Sequence, residues 1–184
     1  MRSRPLVVFD RLDTWEWRFC QRVTRLSLFP AWRITLQIAS RLGDWPVWVL
    51  LIAAQPWLGP GGERRVLQYG AIALVALTAY RLVKTRLCRE RPFITYLGGV
   101  HCGEPARDRY SFPSGHTMHA VMFSVLVAAH TPWLLVVILP LSALIAISRV
   151  GLGLHYASDV LAGAAMGYGF ALLGLYVMAP MLGG

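Results

Sequence analysis

Lysine is almost absent from this chain. Its 184 residues include 17 arginines but a single lysine, Lys84, and the nine acidic residues leave a formal charge of +9. Charged residues make up 15% of the chain against 56% hydrophobic, and the apolar residues come in runs instead of the alternation of a soluble sheet, so lipid is the expected solvent. No reading motif or exposed basic domain accompanies the positive charge, which is therefore not read as nucleic-acid binding. Arginines flanking apolar runs fit anionic headgroups or an acidic substrate better. Cysteine is equally sparse, and Cys20, Cys88 and Cys102 follow no zinc or redox spacing. Repeats and low-complexity tails are missing. So is the residue succession of a cleaved signal, and the spans themselves are expected to direct insertion.

What is present is a series of apolar stretches at 45–58, 66–83, 114–130, 132–147 and 160–182. All but the first approach the ~20 residues that a helix needs to cross a bilayer. The first holds Pro46 and Pro56 and is expected to borrow residues from before Trp45. Ahead of these, Phe9, Leu12, Trp15, Phe19, Val23 and Leu26 recur at steps of three and four, with Arg11, Arg18, Arg22 and Arg25 largely between them. That pattern predicts an amphipathic helix lying in the membrane interface or, alternatively, packed on the spans. Arg25, Arg33 and Arg41 make a further span there expensive. The expected fold is all-α: one membrane-embedded domain over 1–184, a polytopic bundle of five to six transmembrane helices, with an amphipathic, interfacial N-terminal segment at 1–44. Connections at 59–65 and 130–132 are short, whereas 85–113 is a long polar loop, and loops of that length usually carry function.

Consecutive spans alternate direction, so the end of the second stretch, the start of the third, the end of the fourth and the start of the fifth share one membrane face. Those places hold residues 84–92, 113–116, Ser148 with Arg149, and 155–159. From Tyr110 to Gly184 only Arg149 and Asp159 are charged, and ionisable groups embedded in spans are costly and usually functional. A lone Arg or Asp at a helix end often only snorkels to the headgroups. Two of them meeting His116 and His155 on one face describe a site.

His155 and Asp159 are four apart, so on a helix they share a face and the carboxylate reaches an imidazole nitrogen. The tautomer is then fixed and the other nitrogen is left to attack phosphorus. Residues 113–116 open a span. A helix start offers free N–H groups and a positive dipole to an anion, Ser114 adds its hydroxyl, and Gly115 lets the backbone approach closely; proline and serine there are also ordinary capping. His116 is placed to protonate a leaving oxygen. Lys84, Arg91 and Arg149 would neutralise the equatorial oxygens of a transferring phosphoryl group in place of a metal, and the sole lysine suggests a need for a compact charge. Pro92 keeps Arg91 extended, so the helix should end before it and the loop fold back over the site. His119, one turn beyond His116, is expected to pack. His101, Arg107 and Arg109 either touch a headgroup or form a solvated loop face.

Lys84, six residues and Arg91-Pro92; Pro113-Ser114-Gly115-His116; and Ser148-Arg149, five residues, His155, three residues and Asp159 follow one another in that order. In these elements and spacings residues 84–159 resemble the type 2 phosphatidic acid phosphatase family. The resemblance implies His155 as nucleophile, His116 as the general acid that later activates water, Asp159 as the partner of His155, and Lys84, Arg91, Ser114, Gly115 and Arg149 as phosphate ligands, with no metal and no cofactor. It implies a lipid phosphatase working through a phosphohistidine on a substrate such as undecaprenyl pyrophosphate, phosphatidylglycerol phosphate, phosphatidate or a lipid A phosphate. Two other readings stand beside it: a phosphotransferase that passes the same phosphoryl group to an acceptor lipid, and a non-enzymatic lipid-binding or scramblase-like protein.

The expected location is a bacterial inner membrane. With five spans the arginine-rich N-terminus and the 85–113 loop share the site's face, which the positive-inside rule would place in the cytoplasm. A sixth crossing within 26–44 would restore the six-helix topology usual in the family and send the site to the outer, periplasmic face, which is the expectation taken here. Cys88 and Cys102, both in the site's loop, would bridge only in an oxidising compartment.

Overall fold

The computed structural model describes residues 7–96, 100, 102–106 and 108–178. Helix α1 covers Val7–Leu26, α2 Pro30–Leu42, α3 Trp45–Ala53, α4 Gly62–Leu87, α5 the single turn Pro92–Thr95, α6 Gly115–His130, α7 Leu135–Gly151 and α8 Ala157–Leu173. Short 3-10 turns at Gln55–Trp57 and Pro132–Leu134 lead out of α3 and into α7, and a π turn at Gly174–Met178 prolongs α8. Local chemistry explains the starts. A proline stands in the first turn of α2, α3 and α5, where its missing N–H costs nothing. Ser114 caps α6 by accepting from the Thr117 N–H. Arg91 is extended ahead of Pro92, so α4 ends and the loop turns back, as the dipeptide predicts.

The fold is all-helical among the described residues apart from one isolated bridge between Glu90 and Tyr110. Three helices there, Gly62–Leu87, Pro132–Gly151 and Ala157–Val177, are long and apolar enough to cross a membrane. Their outer faces carry exposed Leu74, Leu82, Val136, Val137, Leu139 and Leu161, apolar surface that a bilayer would cover. Helix α6 runs inside the bundle, with Met118, Met122, Phe123, Leu126 and Val127 fully buried. It packs most extensively on α8. A Cβ added at Gly163 would lie 2.4 Å from the Ser114 carbonyl oxygen, and one at Gly167 2.2 Å from that of Met118. The two backbones therefore touch through a pair of glycines four residues apart. On its other side α6 is joined to α7 by the Ser124 and Ser142 hydroxyls, 2.9 Å apart.

The N-terminal third differs from a purely interfacial segment. Leu36 of α2 lies against Gly151, Ser40 meets Arg149, and Gly43 lies against Ile145, so α2 descends antiparallel to α7 into the bundle. Helix α3 continues in the same direction, with Trp48 stacked on Phe123 at 5.1 Å and Gln55 reaching Gly62 at the far end of α4. Together α2 and α3 run the depth of the bundle with a break at Gly43 and Asp44. The helical path into the 45–58 stretch thus begins before Trp45. Helix α1 stays on the site's side. Its apolar stripe splits: Phe9 turns inward with Asp13, Cys20 and Thr24, while Leu12, Trp15 and Phe19 face outward. Asp13 and Glu16 bind the buried Arg89, and this ion-pair network chooses the inward face over the hydrophobic pattern.

Candidate active site

His155 precedes α8 and is not part of it. Tyr156 is the N-cap and Asp159 the third residue of a capping box, in which the Tyr156 N–H donates to Asp159 Oδ2 at 2.9 Å. The shared helix face expected from the i,i+4 spacing is therefore not what brings the two residues near each other; the turn ahead of the helix does. Nδ1 of His155 stands 3.6 Å from Asp159 Oδ2, beyond hydrogen-bond length, and Asp159 Oδ1 is taken by Arg89 at 2.5 Å. Nε2 looks the other way, 3.3 Å from Arg91 Nη1. Burial first, and then the charges of Arg149, Arg91 and Lys84, hold the imidazole well below its ordinary pKa, against an opposing pull from Asp108. The ring stays neutral, with a lone pair to offer.

Three buried cations line the same cavity as His155. Lys84 Nζ donates to the Tyr80 hydroxyl and to Asp108 Oδ2, both at 2.8 Å. Arg91 donates to the Asp108 carbonyl at 2.8 Å, to Asp108 Oδ1 at 3.0 Å and to the Leu154 carbonyl at 2.9 Å. Arg149 Nη1 donates to Ser40 at 2.6 Å, whereas its Nε has no hydrogen-bond partner among the described residues. Burial alone would raise the Asp108 carboxyl, but Lys84 and Arg91 outweigh it and hold it below the usual carboxylate range.

Across the cavity His116 Nε2 lies 2.9 Å from Asp44 Oδ1, an acceptor suited to a protonated ring. Gly115 has a structural reason beyond access for an anion. A Cβ there would sit 2.9 Å from the Tyr80 ring, so the missing side chain lets Tyr80 close in and hold Lys84. Ser114 departs from expectation: its hydroxyl is turned to Thr117 at 3.0 Å and it does not line the cavity, because the helix cap claims the group that was expected to meet an anion. His119 Nδ1 donates to the Gly115 carbonyl of its own helix at 2.9 Å and its ring lies against Phe123, as expected of a packed residue, although it also lines the cavity. Arg109 pairs with Glu90 on the surface. His101 and Arg107 lie outside the described residues. Cys88 and Cys102 are free thiols.

The cavity holds about 540 Å³. Its wall includes Lys84, Arg91, Arg149, His116 and His155 together with the apolar Trp48, Val49, Ile52, Ala73, Leu74 and Leu77 of α3 and α4. Sequence reasoning missed Tyr80, Asp108, Asp44, Ser40 and Arg89. Tyr80 was accessible from its i−4 spacing to Lys84 on one helix; the others meet the site only through tertiary contacts.

A helical bundle with buried cations and two histidines lining one cavity with apolar residues defines a membrane phosphate-handling protein. The chain belongs to the PAP2 superfamily, whose model matches residues 65–181. It is 37% identical over 120 residues to a decaprenylphosphoryl-5-phosphoribose phosphatase of Mycolicibacterium smegmatis, covering 63% of this chain and 62% of that one. The corresponding match in Mycobacterium tuberculosis is 31% identical and covers 75% and 76%. The chain thus spans between three-fifths and three-quarters of the length of these relatives. Among solved structures it resembles LpxE of Aquifex aeolicus, with a TM-score of 0.73 at 22% identity over 86% of this chain and 93% of that one. It also resembles a transmembrane PAP2-type phosphatidylglycerolphosphate phosphatase of Bacillus subtilis, with a TM-score of 0.68 at 20% identity over 96% and 89%. With three apolar helices of spanning length and this fold, the chain is an integral membrane protein.

Proposed function

We propose that the chain dephosphorylates a membrane lipid phosphate through a phosphohistidine on His155. The observation that carries this is the single cavity in which the neutral His155 Nε2 and three buried cations adjoin an apolar wall from α3 and α4. Phosphate groups suit the first part and a prenyl or acyl chain the second. In the first step the Nε2 lone pair attacks phosphorus, the bond to the lipid oxygen breaks, and His116 gives that oxygen its proton. Lys84, Arg91 and Arg149 offset the charge on the remaining phosphoryl oxygens, helped by the backbone at Gly115. Asp159 steadies the ring as it becomes cationic. In the second step His116 takes a proton from water, the hydroxide attacks phosphorus, and inorganic phosphate leaves with His155 neutral again. Ser114 serves this scheme as the cap that aims α6.

The mycolicibacterial relative is named for a decaprenylphosphoryl phosphosugar, which makes a polyprenyl-linked phosphomonoester the first substrate to try, ahead of undecaprenyl diphosphate and phosphatidylglycerol phosphate. The test is phosphate release by the purified protein from a panel of these lipids in excess chelator. Release from at least one, blocked by vanadate as a five-coordinate mimic on His155, is the expected result. Loss on chelation with recovery on adding magnesium would overturn the mechanism, and label recovered on lipid instead of in solution would make the protein a transferase.

The bundle supports five crossings: α2 with α3, then α4, α6, α7 and α8. Helix α1 lies on the site's side, which favours five crossings over the six on which an outward-facing site depends. Arg11, Arg18, Arg22 and Arg25 are exposed on that side, whereas at the far end Arg64 is exposed and Arg65 is occupied with the Gln55 and Gly59 carbonyls. By the positive-inside rule we place the site on the cytoplasmic face of a bacterial inner membrane. Cys102 is exposed in the site's loop while Cys20 and Cys88 are buried. A membrane-impermeant thiol reagent should therefore label Cys102 only after permeabilisation. Labelling in intact cells would put the site outside.

A further inference from the structure

Arg89 is an arginine without water. Its side chain is fully buried, and burying a guanidinium is costly unless every donor is met. All five are. Nη1 donates to Asp159 Oδ1 at 2.5 Å and to the Ser158 hydroxyl at 2.7 Å. Nη2 donates to Asp13 Oδ1 at 2.6 Å and Glu16 Oε2 at 2.8 Å, and Nε to Asp13 Oδ1 at 2.9 Å. The faces of the guanidinium lie over the Tyr156 ring at 3.9 Å and the Phe9 ring at 5.0 Å.

Two of these contacts come from one place and three from another, far apart in the chain. One place is Asp159 with its neighbour Ser158, at the start of α8. The other is Asp13 with Glu16, on α1, which lies outside the residues matched to the PAP2 superfamily. We infer that Arg89 is a positioning residue, holding Asp159 in the orientation that serves His155, and that α1 holds Arg89 in turn, so that the N-terminal helix belongs to the catalytic apparatus. The inference rests on the phosphohistidine reading of His155.

The geometry is specific. Arg89 draws Asp159 Oδ1 to one side while the Tyr156 N–H holds Oδ2 at 2.9 Å. The plane of the carboxylate is thereby fixed with Oδ2 towards His155 Nδ1. A buried carboxylate deprived of its cation would turn to find another donor or take up a proton, and in either case would no longer steady a cationic imidazole. Helix α1 adds a second link that bypasses Arg89: Glu16 accepts from the Ser158 N–H at 2.7 Å and from its hydroxyl at 2.6 Å. It thus satisfies one of the free N–H groups that open α8. The same carboxylate grips both the guanidinium and the helix that bears Asp159.

The experiment measures kcat, KM and the affinity for inorganic phosphate in purified Arg89→Met, Arg89→Lys, Glu16→Gln and the Arg89→Met/Glu16→Gln double variant. Misplacing a catalytic group from a distance can cost on the order of 100-fold, and that loss is expected in kcat for Arg89→Met. KM and phosphate affinity should change little, because Lys84, Arg91 and Arg149 are untouched. Arg89→Lys, with the charge but not the fork, should recover part of the rate. Glu16→Gln should lower kcat less than Arg89→Met, and the double variant should fall short of full additivity, because the two residues share the start of α8 as their partner. Wild-type kcat in Arg89→Met, or full additivity in the double variant, would overturn the inference. So would a loss of phosphate affinity matching the loss of rate. Should Arg89→Met fail to fold, Arg89→Lys and Glu16→Gln decide by the same split between kcat and phosphate affinity. An inactive His155→Ala beside a fully active Arg89→Met would remove this inference alone, whereas an active His155→Ala would remove the phosphohistidine reading itself.

Discussion

His155→Ala should lose phosphate release by about 10⁴-fold or more, roughly 5.5 kcal/mol of transition-state stabilisation, because it removes the group that accepts the phosphoryl covalently in the proposed scheme. Binding should survive the change. Lys84, Arg91 and Arg149 remain buried around the same space, so inorganic phosphate affinity is expected to stay near that of the wild type. Rapid alkaline quenching of the wild-type protein with labelled substrate should trap an acid-labile, alkali-stable phosphoprotein, and His155→Ala should carry no label. Substantial turnover by the variant, or the same label on it, would move the chemistry to another residue. The pH dependence follows from the surroundings of the ring. Burial and the three cations hold His155 well below its ordinary pKa, so the neutral nucleophile persists as pH falls through the usual imidazole range. No acid limb from His155 should therefore appear there.

Much of this site was legible because its chemistry is local. Lys84 to Pro92, Pro113 to His116 and Arg149 to Asp159 each sit at a span end, and the alternation of spans brings those ends together without any tertiary detail. The helix start at Ser114 and the extended Arg91 before Pro92 likewise follow from capping and proline sterics. What the sequence hid depends on choices between competing partners. Ser114 had two possible duties, and the cap took its hydroxyl. Helix α1 carried a plausible apolar stripe, but the cost of leaving Arg89 unpaired turned Asp13 and Glu16 inward instead. Asp44 and Asp108 are single acids in arginine-rich surroundings, and nothing in their neighbours announces that one will meet His116 and the other will bridge Lys84 and Arg91. The break between α2 and α3 was equally hidden, since Arg33 and Arg41 argued against any depth for that segment. The pair Gly163 and Gly167, by contrast, was visible as a small-residue repeat in an apolar run and passed unread.

That pair sets the second large effect. Gly163→Ala should cost stability, about 1–3 kcal/mol as for other overpacked positions, and should cost activity more severely. The added Cβ would meet a backbone carbonyl at 2.4 Å, which no side-chain rotation can relieve. Helix α6 must then move away from α8 at Ser114, the residue whose N–H donates to the Asp159 carbonyl at 3.0 Å. His116 rides on α6, and Asp159 with its neighbour His155 on the start of α8, so the shift opens the gap across which a proton and a phosphoryl group have to pass. A displacement of around 1 Å can cost on the order of 100-fold in rate. Gly167→Ala, whose Cβ would meet the Met118 carbonyl at 2.2 Å, lies one turn further from the site and should trade the balance towards stability loss. Gly169→Ala supplies the control. It lies on the same helix with nothing within 4 Å of its Cβ, and the change should be neutral or stabilising by up to ~1 kcal/mol from helix propensity. Thermal unfolding in detergent and phosphate release measured on all three variants decide the matter. If Gly163→Ala proves as stable and as active as Gly169→Ala, the α6 to α8 contact does not hold the two halves of the site together.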